Sequence, residues 1–206
     1  LSNFRGSCQI YFLVTLFFAS DTIILNYNRK RNNIYRKTAS QINLIHYICE
    51  DKMDSMKYGF VKTAAAVPQT AVGDCNVNAK SIISTANEAV KKGAELILCP
   101  ELCITSSTCG DLFVQPYFIG LCENAVKEVI QSTTDHDAIV IVGAPILFMN
   151  AVYNCSIVIH HGNIAGIVAK SILRNMSGKD ESRHFSSGSS IPTGSRIVYA
   201  GQETEI

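Results

Sequence analysis

Glu101 and Lys170 are the two side chains whose types and placement could do chemistry together. Each closes a short apolar run. Glu95 to Cys99 ends at Pro100 and delivers Glu101, and Ile164 to Ala169 delivers Lys170. The carboxyl ends of strands are where α/β sheets gather their chemistry, so a proton acceptor and a cation could share one pocket there. Composition alone favours the plainer reading, that each is a solvated charge at the end of a strand.

The other reactive residue types form no comparable constellation. Eight cysteines are spread along the chain. Cys99, Cys103 and Cys109 have neither CxxC spacing nor a matching second pair, so no metal site is expected. Cys155 falls in mid-strand, where a buried inert thiol is the default. The spacing is not that of a secreted disulfide scaffold, which points to reduced thiols and a cytoplasmic setting. His160-His161 reads as part of a turn rather than as a ligand pair. Gly162 and Gly166 do not make a GxGxxG fingerprint, and Gly178-Lys179-Asp180 lacks the features of a phosphate loop. The serines from Ser186 to Ser190 make no GxSxG elbow and read as a flexible loop.

The elements that must position Glu101 and Lys170 follow from periodicity. Phe60 to Val67 suits a buried first strand ended by Pro68. Asp74 to Lys92 reads as an amphipathic helix with Val77, Ile82, Ile83, Ala86, Ala89 and Val90 at helical spacing, stopped at Gly93. The strand Glu95 to Cys99 comes next, then a polar loop from Thr105 to Gly110 and a second helix over about Leu112 to Ser132. Ala138 to Phe148 is almost continuously apolar, as expected of a central strand covered on both faces. Val152 to Ile159 and Ile164 to Lys170 form a hairpin through His160-His161-Gly162-Asn163. The order βαβαβββ implies an α/β fold with a helix-covered sheet, and it brings the ends of the second and fifth strands within possible reach of each other.

Within this frame a resemblance becomes specific. Leu98-Cys99-Pro100-Glu101-Leu102-Cys103-Ile104-Thr105 with Thr108-Cys109-Gly110-Asp111-Leu112-Phe113 resembles a strand-end motif of the nitrilase superfamily of carbon-nitrogen hydrolases, in the version found in glutaminase domains of NAD synthetases. Met56 to Lys62 resembles the beginning of such proteins. Lys170-Ser171-Ile172-Leu173 and Glu181-Ser182-Arg183-His184-Phe185 resemble their lysine segment and downstream glutamate. The resemblance covers residues 56 to 206 and implies a nitrilase-like α-β-β-α sandwich, incomplete toward its carboxyl end. It also implies hydrolysis of the glutamine amide, with Glu101 as general base, Lys170 as oxyanion-stabilising cation and Glu181 as a second glutamate orienting Lys170 or the substrate. In such enzymes the released ammonia goes to a synthetase domain of the same full-length chain, which uses ATP and magnesium to amidate nicotinate adenine dinucleotide. The complete enzyme is expected to be a homo-oligomer.

Three departures stand against that pattern. No counterpart of the nucleophile motif precedes Ile206, so no nucleophile is expected within this chain and the stretch by itself is expected to be inactive. Ser106-Ser107 stands where the family usually has Gly-Tyr, and Arg174 and Met176 stand where it usually has Pro and Tyr. A simple amidase of the same superfamily, or a non-catalytic remnant of the scaffold, are the alternative readings. No cofactor is expected in this stretch.

Composition bounds the rest. With 47% hydrophobic residues, 17% charged and a formal net charge of +1, the chain has no field suited to nucleic acid and no sign of a membrane partner. Residues 1 to 55 differ from the remainder of the chain, being rich in Phe, Ile, Tyr, Asn and Lys, and read as a non-native or disordered leader, with translation expected to start at Met56. A signal peptide, with Arg5 ahead of the apolar run Ile10 to Ala19, is the lesser reading.

Overall fold

The computed structural model of the chain describes residues 46–47, 61–175 and 180–206. Its main sheet has six strands in sequence order: β1 (His46–Tyr47), β2 (Thr63–Ala65), β3 (Leu96–Leu98), β4 (Ile139–Phe148), β5 (Ala151–His160) and β6 (Asn163–Ala169). β2, β3 and β4 run parallel, whereas β5 and β6 return antiparallel and β1 adds antiparallel to β2. Of the segment read as a leader, only the two residues of β1 are described, and the assignment of a start at Met56 lies outside the described residues. Helices α1 (Cys75–Lys91) and α2 (Pro116–Ser132) pack against each other, and α2 lies on β4. A two-stranded sheet, β7 (Arg196–Tyr199) and β8 (Gln202–Glu205), adjoins β6. The architecture is mixed α/β, as the order of elements in the sequence implies. No helix among the described residues is long and apolar enough to cross a membrane.

Local chemistry explains the boundaries. Asp74 caps α1 by accepting from the Val77 amide at 3.0 Å, satisfying one of the donors that a helix start leaves unpaired. The buried stripe of α1 is Cys75, Asn78, Ala79, Ile82, Ala86 and Ala89, so Asn78 rather than the expected Val77 faces inward. A polar residue there is tolerated because every hydrogen bond is made. Asn78 Nδ2 donates to the Ala71 and Ile104 carbonyls at 2.8 and 2.9 Å, and its Oδ1 accepts from the Ala71 amide at 2.6 Å.

The second helix starts later than expected. Gly110–Val114 forms a 3₁₀ turn and α2 begins at Pro116, with Gln115 extended at ψ 116°. Proline disfavours the helical region for the residue before it and suits the first helical position itself, so the expected single helix from Leu112 divides at Gln115. β4 lies between β3 and β5, as its apolar run implies. A further departure is the carboxyl-terminal stretch. Ser186 to Ser190, expected as a flexible loop, contains a 3₁₀ turn over Gly188–Ser190 capped by Ser187. Gly188 sits so close to the end of β6 that a Cβ would meet the Ala169 carbonyl oxygen at 2.5 Å, so this approach requires glycine.

Candidate active site

The turn that presents Glu101 is held from two sides. The Cys99 amide donates to the Ile141 carbonyl at 2.9 Å and the Ile104 amide to the Gly143 carbonyl at 3.2 Å, tying both ends of the turn to β4. Asn78 on α1 holds the Ile104 carbonyl from the other side. Between these anchors the chain bends sharply: Leu102 has φ 51° and Ser106 φ 73°, both in the left-handed region. Non-glycine residues there cost on the order of 1 kcal/mol each. Burial of Leu102 and Ile104 holds the bend in place.

Lys170 follows β6 and is fixed through its backbone, its amide donating to the Asn154 carbonyl at 2.9 Å and its carbonyl accepting from the Gly188 amide at 2.8 Å. Glu181 opens a short 3₁₀ turn (Glu181–Arg183). Two contacts join that turn to the region after Glu101. Phe113 packs on Phe185 with ring centroids 4.9 Å apart, and Arg183 Nη2 reaches both Asp111 oxygens at 2.9 and 3.1 Å. The aromatic contact carries most of this tether, because an ion pair as exposed as Arg183–Asp111 contributes at most about 1 kcal/mol.

These elements bring the three expected site residues together. Lys170 Nζ lies 2.7 Å from Glu101 Oε1 and 2.9 Å from the Glu181 carboxylate, with the lysine side chain 5% exposed and each glutamate 17% exposed. An ammonium taken from water to this degree is held only where compensating charge surrounds it, and the two carboxylates supply it. Glu181 is held in turn by the Arg174 amide, which donates to Oε2 at 2.9 Å. A proline at position 174 would offer no such donor. Met176 lies outside the described residues.

One site residue went unrecognised in the sequence. Asn154, 1% exposed on β5, donates from Nδ2 to Glu101 Oε1 at 2.6 Å. Its only sequence signal is a polar residue interrupting an apolar strand, which by itself does not distinguish a site from a satisfied core amide. Its Oδ1 is buried without a partner; a carboxylate neighbour fixes the amide with nitrogen toward Glu101, so the orphaned acceptor is a consequence of serving that carboxylate.

No thiol joins this cluster among the described residues. Cys75 and Cys122 contact each other at 3.5 Å between sulfurs, Cys103 Sγ bonds the Gly143 backbone, and Cys109 Sγ donates to the Thr105 carbonyl at 2.9 Å. The hydrogen bond with Cys103, reinforced by burial, pushes the Cys99 thiol well above its ordinary range, and burial pushes Cys155 up likewise. A thiol raised in this way is a poor nucleophile.

Comparison with known proteins places the chain in a family. Residues 63–203 match the carbon-nitrogen hydrolase family. The glutamine-dependent NAD(+) synthetase of Aquifex aeolicus is 38% identical over 117 residues, 57% of this chain and 20% of that protein. The synthetase of the same name from Mycobacterium tuberculosis is 32% identical over 117 residues, 57% of this chain and 17% of that protein. The crystal structure of a glutamine-dependent NAD(+) synthetase from Cytophaga hutchinsonii matches with a TM-score of 0.63 at 27% identity, covering 70% of this chain and 24% of that one. The chain therefore spans between 17% and 25% of the length of curated relatives such as these. A family match over most of the chain, a shared fold, and a buried carboxylate–ammonium cluster at the strand ends lead to one conclusion: the chain belongs to the carbon-nitrogen hydrolase family.

Proposed function

We propose that Glu101, Lys170 and Glu181 are the proton-transfer and oxyanion-stabilising part of a site that hydrolyses the side-chain amide of glutamine, and that the ammonia released feeds an ATP- and magnesium-dependent synthetase domain making NAD. The observation that carries this reading is the position of Lys170 Nζ, 2.7 Å from Glu101 and 2.9 Å from Glu181 in a largely dry setting. Glu101 takes the proton of an attacking thiol and returns it to the departing ammonia, then activates the water that hydrolyses the thioester. Lys170 faces the oxyanion as the tetrahedral intermediate forms, and a fixed cation in a low-dielectric site stabilises that charge far better than one in water. Glu181 and Asn154 hold Lys170 and Glu101 in register. All six described cysteines are free, which suits a cytoplasmic setting, and none of them is the nucleophile in this reading.

A coupled assay for ammonia on the purified 206-residue chain with glutamine tests the last point. No release above the uncatalysed rate is expected, because loss of one member of a cooperating catalytic set removes about 10⁴-fold or more of the rate. Turnover that a thiol-alkylating reagent abolishes would make one of the chain's own cysteines the nucleophile.

A further inference from the structure

At the end of β5 remote from Glu101, three metal-ligating side chains converge among the described residues. His160 closes β5, six residues and about 20 Å of strand beyond Asn154. Consecutive strand side chains normally point to opposite faces. Here the chain turns at His161 and Gly162, with φ 50° and 71°, and the turn breaks that alternation. The two imidazoles meet edge-on with centroids 4.2 Å apart. Asp137, in the segment entering β4, places Oδ1 2.5 Å from His161 Nε2. One ligand atom from each of Asp137, His160 and His161 lies within 4.8 Å of the others.

We propose that Asp137, His160 and His161 form a binding site for a divalent transition-metal ion of the zinc class. Two imidazoles and one carboxylate, with remaining positions open to water, suit Zn²⁺, Ni²⁺ or Cu²⁺, whereas Mg²⁺ and Ca²⁺ favour all-oxygen shells. Tetrahedral ligands about 2.0–2.1 Å from zinc stand roughly 3.3 Å apart, and the exposed Asp137 and His161 side chains have room to rotate toward that spacing. The backbone beneath it is already fixed. The Gly162 amide donates to Thr133 Oγ1 at 2.9 Å, Gln202 from β8 donates to the Gly162 carbonyl at 2.9 Å and accepts from the Ile164 amide at 2.8 Å, and Asn163 Nδ2 donates to the His161 carbonyl at 2.8 Å. A Cβ at Gly162 would come within 2.7 Å of Thr134 Cγ2, so the turn fits closely against the segment carrying Asp137. A preformed turn spares the ordering cost that usually weakens binding by loops. Bound metal would join the β5–β6 turn to the entry of β4.

Isothermal titration of the whole chain with zinc chloride, beside His160→Gln, His161→Asn and Asp137→Asn, tests the site; asparagine tolerates the left-handed backbone at 161. The wild type is expected to bind one equivalent and to gain in thermal unfolding midpoint, with each variant at least tenfold weaker and magnesium chloride without effect. Equal melting of variants and wild type without metal shows that the variants fold. Absence of zinc binding by the wild type, or zinc binding that survives the substitutions and disappears on thiol alkylation, would overturn the assignment.

Discussion

Asn154 and Lys170 donate to the same oxygen, Glu101 Oε1, at 2.6 and 2.7 Å, and the backbone of one holds the backbone of the other, through the Lys170 amide and the Asn154 carbonyl. The strand that carries the amide and the strand end that carries the cation are thus one hydrogen-bonded unit. Glu101 is oriented by both at once. A proton acceptor held in this way does not need to be reorganised as charge develops.

Lys170 also balances the charge of this unit. Substituting Lys170→Met leaves two carboxylates facing each other without their cation, and removal of one partner of a buried ion pair typically costs about 3–5 kcal/mol. Urea denaturation should show a loss of that size. Adding Glu101→Gln and Glu181→Gln in the same chain should recover at least half of it, because the penalty arises from unpaired charge and not from lost packing. A loss that the neutral glutamines leave unchanged would mean that Lys170 stabilises through its aliphatic stem alone.

Much of this architecture is readable in the sequence, and the limits have physical causes. Glu101 and Lys170 stand out because each closes an apolar strand, and their meeting results from the parallel pairing of β3 with β4 and the return through β5 and β6. Glu181 is found only by resemblance, since nothing local marks a glutamate in a short 3₁₀ turn. Asn78 and Asn154 are invisible as functional residues. Their importance lies in bonds to segments distant in sequence. The β7–β8 hairpin escapes notice because its strands have four residues each, and its turn, at Ala200 and Gly201 with φ 53° and 82°, carries only one of the usual turn residues.

Ser106 has φ 73°. A serine held in the left-handed region carries backbone strain. Ser106→Gly should raise stability by about 0.5–1 kcal/mol, the relief of the left-handed penalty exceeding the extra freedom glycine gains when unfolded. Thermal unfolding of the two chains decides this, and a destabilised glycine variant would count against it.

Tyr199 is buried and its hydroxyl has no partner. Burial first, then the neighbouring Cys122 and Glu123, holds its ionisation well above the ordinary value of 10.0. Because the folded value is raised, the stability that goes with a neutral phenol is fully present below about pH 10 and is lost as pH rises beyond it. Tyr199→Phe should therefore be neutral to about 1 kcal/mol stabilising at pH 7, where it removes an unsatisfied hydroxyl, and its advantage should widen at pH 11. Parallel alkaline slopes for the two proteins would contradict the burial argument.

The most direct measurement places residues 63–203 of this chain into the Aquifex aeolicus glutamine-dependent NAD(+) synthetase, in place of the corresponding segment there, and compares NAD formation with glutamine or with free ammonia as nitrogen source. If Glu101 and Lys170 perform proton transfer and oxyanion stabilisation, the exchanged enzyme uses glutamine. Glu101→Gln and Lys170→Ala within it each lower glutamine-dependent synthesis by about 10²–10³-fold while ammonia-dependent synthesis stays within twofold. Glutamine use that survives both substitutions would contradict the catalytic assignment.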